Sequence, residues 1–170
     1  MHKRFLVITG LAVLTTLQAA DPKPITGHDA AAAFARLKTL VGEWQADTPD
    51  GKARLTYELT GGGTALVERE SDDKMPGMMT VYHLDGSRLI LTHYCMAGNQ
   101  PRMQASGINP DTGEIQFQFL DITNLASPAA GHMHDVKLRI VDENHVDSQW
   151  QFYENGAPKM TESAHYTRIR

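Results

Sequence analysis

His132-Met133-His134-Asp135-Val136-Lys137-Leu138-Arg139-Ile140, followed by Val146-Asp147-Ser148-Gln149-Trp150-Gln151-Phe152, is the stretch whose rhythm settles the fold class. His132, His134, Val136, Leu138 and Ile140 fall on one side of an extended chain, with Asp135, Lys137 and Arg139 on the other. Val146, Ser148, Trp150 and Phe152 then alternate with Asp147, Gln149 and Gln151. A period of two is the mark of a strand with one dry face and one wet face.

The same rhythm extends in both directions. Upstream, Ile115, Phe117 and Phe119 alternate with Glu114, Gln116 and Gln118, and Leu55, Tyr57 and Leu59 with Arg54, Thr56 and Glu58. The triple glycine 61–63 reads as a turn into a returning strand from Thr64 to Glu70. Met78 to Leu84 runs into Asp85-Gly86, a strong hairpin signal, and Arg88 to Met96 answers it. Ala97 to Pro101 reads as a turn, Met103 to Ile108 as a short strand, and Asp121 to Gly131 as a polar loop. Asn155-Gly156 turns the chain into a last strand from Met160 to Arg168. Only Ala30 to Val41 has helical spacing, with Phe34, Leu37, Leu40 and Val41 apolar, Thr26 and Asp29 as candidate N-caps, and Gly42 as the stop. The expectation is an all-β, antiparallel up-and-down β-barrel of about nine or ten strands with one N-terminal helix. Consecutive strands without crossover helices exclude a βαβ fold, and closure removes the open edges of a wide sheet.

Composition narrows the function classes. The chain has 170 residues, 16 basic and 20 acidic, for a net charge of −4. Met1-His2-Lys3-Arg4, the apolar run Phe5 to Leu17 and the small-residue end Ala19-Ala20 read as a secretory signal over residues 1–20. The apolar run is too short to span the roughly 30 Å of bilayer hydrocarbon. Cleavage after Ala20 takes two of the 16 basic residues and none of the 20 acids, leaving −6 on residues 21–170. That balance speaks against a nucleic-acid partner, which needs a basic face. The expected product is one exported domain, secreted or periplasmic, with no membrane span after the signal is removed. A single cysteine, Cys95, excludes an intramolecular disulfide framework and a multi-cysteine zinc site.

Leu40-Val41-Gly42-Glu43-Trp44 places a Gly-x-Trp directly after the helix, and Arg168 and Arg170 close the last strand. This resembles the calycin pattern shared by lipocalins and fatty-acid-binding proteins. The resemblance implies that Trp44 packs beneath Arg168 and pins the first strand to the last, a structural role. Leu91-Thr92-His93-Tyr94-Cys95-Met96-Ala97-Gly98-Asn99-Gln100-Pro101-Arg102-Met103, and Asp121-Ile122-Thr123-Asn124 with Gly131-His132-Met133-His134, resemble an uncharacterised family of secreted bacterial calycin-like domains. That likeness runs from about Leu37 to the C-terminus. It implies a fold and a pocket rather than an activity.

The candidate chemistry is set by which faces turn inward. His93 and Cys95 share the side of Leu89 and Leu91, and His132 and His134 share the side of Val136 and Leu138. The expectation is three imidazoles and a thiol meeting in one cavity as polar anchors for a small, partly apolar ligand. Glu68 is a candidate carboxylate facing that cavity, where burial raises its pKa. Tyr82, Asn99, Arg102 and Asn124 are candidates for the mouth or wall. One alternative is a metal carrier using His93, Cys95, His132 and His134, whose nitrogen and sulfur donors suit copper or zinc. A haem carrier is another, although the glycines that follow Gly-x-Trp in haem-binding calycins are missing and His165 falls outward. A third is a small isomerase or hydrolase with acid–base residues inside the barrel. No cofactor is assigned from the sequence; the one partner assigned is the small molecule.

Overall fold

The computed structural model describes residue 25 and residues 27–48, 51–72 and 77–170. The expected signal, its cleavage site and the candidate cap Thr26 lie outside the described residues. The first element is a helix, α1 (His28–Lys38). Ala30, Ala33, Phe34 and Leu37, at the three-and-four spacing of one helix face, are all buried. Gly27 rather than Asp29 occupies the N-cap, at φ 61, so Asp29 sits in the first turn, where its charge faces the positive end of the helix dipole. The helix also ends three residues before Val41. Thr39 closes it, its backbone N–H and its hydroxyl both donating to the Arg36 carbonyl. The early stop leaves the Leu40 carbonyl for the indole N–H of Trp44, at 2.7 Å, and turns Val41 out to 42% exposure.

Ten strands follow: β1 (Gly42–Thr48), β2 (Gly51–Thr60), β3 (Ala65–Asp72), β4 (Met78–Asp85), β5 (Arg88–Tyr94), β6 (Gln100–Asn109), β7 (Glu114–Thr123), β8 (His132–Ile140), β9 (His145–Glu154) and β10 (Ala157–Arg168). Each pairs antiparallel with its neighbours in the chain, and β1 pairs with β10 through Trp44↔Arg168, closing the barrel. Gln100 and Pro101 belong to β6 rather than to a turn. Proline is tolerated there because the β5–β6 ladder begins only at Thr92↔Arg102, so no bond on that side needs its missing donor.

Four one-residue bulges interrupt the alternation, at Ser106 in β6, Leu120 in β7, His134 in β8 and Lys159 in β10. Each reverses the inside and outside assignment of the residues on one side of it. The β7–β8 ladder itself stops at Phe117↔Val136, well short of the outer ends of both strands.

The two ends of the barrel differ. At one end α1 packs across β4, β5 and β6, Arg36 reaches the Ile140 carbonyl, and the guanidinium of Arg168 lies 4.1 Å above the Trp44 ring. Gly113, in the β6–β7 turn at this end, has φ +71, and a Cβ there would stand 2.2 Å from the Ile140 carbonyl oxygen. That carbonyl belongs to a residue whose own N–H bonds Gly113, so the contact has little room to relax. Gly113→Ala is expected to destabilise the fold by about 2 kcal/mol, combining a left-handed backbone with the clash. Urea unfolding checks it; an unchanged midpoint would show that the turn moves away from β8 freely.

The cavity and its buried polar chain

At the other end the barrel holds a cavity of about 520 Å³. Leu55 of β2, Met133 and Leu138 of β8, and Trp150 of β9 give it an apolar wall, and Tyr57 and Tyr166 add aromatic faces. Glu68 of β3 and His93 of β5 also line it. Both are nearly sealed from solvent, at 5% and 3% exposure.

These two residues belong to one hydrogen-bonded chain. Strand register builds it, because Glu68 pairs with Thr80 across β3–β4, and Thr80 with His93 across β4–β5. Tyr82 donates its hydroxyl to Glu68 at 2.8 Å, and the hydroxyls of Tyr57 and Thr80 bond the same carboxylate. Burial nevertheless raises the Glu68 carboxyl above its ordinary pKa, against the pull of those three donors. Burial and the nearby Glu68 charge push the Tyr57 and Tyr82 phenols well above their usual range.

Thr80 Oγ1 stands 3.0 Å from His93 Nδ1. The imidazole is neutral above its burial-lowered pKa of about 4. Its Nε2 is buried and has no hydrogen-bond partner among the described residues. The Trp150 ring lies beside it, with ring centres 4.8 Å apart. The site therefore offers an unbonded imidazole nitrogen in an apolar, aromatic chamber. Thr80 escaped the sequence reading; its inward parity with Tyr82 was the available signal.

The expected convergence of three imidazoles and a thiol is corrected by the structure. His132 pairs with Tyr153, on the outer face of β9, while Met133 takes the inward place opposite Phe152. The bulge at His134 produces this change of phase. His132 and His134 join Phe119 and Tyr153 in a ring cluster outside the cavity, with His134 stacked between Phe119 at 4.6 Å and Tyr153 at 3.9 Å. His132 Nδ1 also meets the Ala130 carbonyl at 3.0 Å. His134 Nδ1 stands 3.1 Å from Asp135 Oδ2 but off the line of a hydrogen bond.

Cys95 follows the end of β5. Its half-buried thiol packs against the core without lining the cavity, and burial raises its pKa. Tyr82 is fully buried behind the wall. Asn99 and Asn124 tie the rim together, Asn99 donating to the Gly131 carbonyl and Asn124 to the Gly98 carbonyl. Arg102 points outward, where its fork pairs with Asp121. His165 also faces out and pairs with Asp147, whereas Ala164 and Tyr166 face the cavity. Among the described residues no group of three or more His, Cys, Asp or Glu side chains is placed to hold a metal ion.

No known protein family matches the chain, and no curated protein does. A solved structure does. It is Rv2717c from M. tuberculosis, with a TM-score of 0.55 and 14% sequence identity over 81% of this chain and 98% of that one. Nearly all of Rv2717c is covered, so the closed barrel is the shared unit, and at this identity the likeness to Rv2717c concerns the fold. No helix among the described residues is long and apolar enough to cross a membrane.

Proposed function

We propose that the protein is an exported, calycin-like binding protein that holds a small, partly apolar molecule inside the barrel. The single observation that carries this reading is the unpartnered, buried Nε2 of His93 in a cavity of about 520 Å³. A polar atom removed from water and left unbonded costs free energy, and a hydrogen-bonding ligand recovers it. Cavities of this size with one or two convergent polar groups are the usual form of small-molecule sites. The Trp44–Arg168 stack across β1 and β10 supports the calycin reading, and the cationic and apolar start of the chain supports export. The four residues of the metal reading are divided between the cavity, the rim and the outer ring cluster, which favours an organic ligand over a metal ion.

Mass spectrometry of the native protein, before and after denaturation, tests this reading. The expected result is a chain beginning at Asp21 that releases an organic molecule on unfolding. His93→Leu should lower the occupancy about tenfold, the effect of one lost buried hydrogen bond, while His134→Leu should leave it unchanged. An empty wild-type cavity, or equal effects of the two substitutions, would refute the assignment.

A further inference from the structure

The charged groups on the cavity wall carry one sign. Glu68, Glu70 and Glu162 line it, and no lysine or arginine does among the described residues. Three aromatic side chains, Tyr57, Trp150 and Tyr166, face the same space. Trp150 links the parts, since its ring lies against His93 and its backbone partner across β9–β10 is Glu162. His93 Nε2 adds a buried polar atom with no hydrogen-bond partner among the described residues.

The charges and the aromatic faces select the same chemistry. An anion would meet like charges there, and the repulsion from buried Glu68 is poorly screened. A protonated amine reverses the sign of that interaction with all three carboxylates. Aromatic faces stabilise an organic cation further through their negative π-surfaces. Leu55, Met133 and Leu138 are left to cover a hydrocarbon body.

We propose that the cavity selects an organic cation, an apolar body bearing a protonated amine, and rejects the fatty-acid type of ligand. The proposal rests on the small-ligand reading above and names the ligand class for that site. Decylamine, decanol and decanoate share one chain and differ in head group, so they separate the two claims. Each is titrated calorimetrically into the full mature chain, freed of bound molecules, at neutral pH and low salt.

The expected result is decylamine binding about tenfold more tightly than decanoate, with decanol between them. Glu162 is exposed, so Glu162→Gln leaves the fold intact; it should narrow the gap between amine and acid about threefold. Decanoate binding as tightly as decylamine would overturn the cation proposal and leave the small-ligand reading standing. Failure of all three to bind would overturn both.

Discussion

Trp44→Ala is expected to lower folding stability by about 4 kcal/mol, the upper range for deleting a large buried aromatic. Trp44 is completely buried at the seam where the barrel closes. Its indole N–H is bonded to the Leu40 carbonyl, in the segment that links α1 to β1. Its ring supports the Arg168 guanidinium, which in turn donates to the carbonyls of Thr39, Val41 and Glu143. Alanine removes the apolar contact, leaves a cavity, orphans a buried carbonyl and takes the floor from under a cation that joins three segments. Urea unfolding monitored by circular dichroism measures the loss as a lower midpoint at an unchanged slope. A loss below about 1 kcal/mol would mean that the seam is held from elsewhere.

The second large effect is a dependence of stability on acid. His93 titrates at about 4 in the folded protein because burial disfavours its charge, against about 6.5 in the unfolded chain. Between those values the unfolded state binds the extra proton. Stability from this residue is therefore complete above about pH 6.5 and is lost as the pH falls to about 4, by about 3 kcal/mol. Glu68 acts with the opposite sign. Its raised pKa lets the folded state keep a proton longer, so its contribution is present at low pH and lost as the pH rises through its folded value. Asp121, Asp142 and Asp147 have lowered values and matter only below the ordinary carboxylate range. Comparing wild type with His93→Leu isolates the histidine. The variant should lose about 3 kcal/mol less than wild type between pH 7 and pH 4. Equal losses would show that His93 is accessible to protons in the folded state.

The barrel was legible because alternation reports burial directly, and β-strands in sequence order leave few ways to pair. Val136, Leu138 and Ile140 point inward as their spacing predicts, and Ala164 and Tyr166 do too. The candidate site was legible only where the alternation is unbroken. His93 and Glu68 lie on uninterrupted stretches of β5 and β3 and reach the interior. His134 is itself a bulged residue and His132 lies beyond it, and a bulge depends on how two strands share their ladder rather than on any local residue preference. Helix spacing misled at Val41 for a related reason. The chain had to leave α1 early to present the Leu40 carbonyl to a residue four positions on, a tertiary demand invisible to periodicity.

The short β7–β8 ladder bears on the mouth of the cavity. Beyond Phe117↔Val136 the two strands are joined by ring stacking and by the Phe119 N–H bonded to Asp135, with no further backbone rungs. The β1–β10 ladder is shorter still and ends at Gln45↔Thr167, so at both seams spreading the rim disturbs side-chain contacts before main-chain bonds. The hoop is thus loosely laced by main-chain bonds on two sides of its mouth.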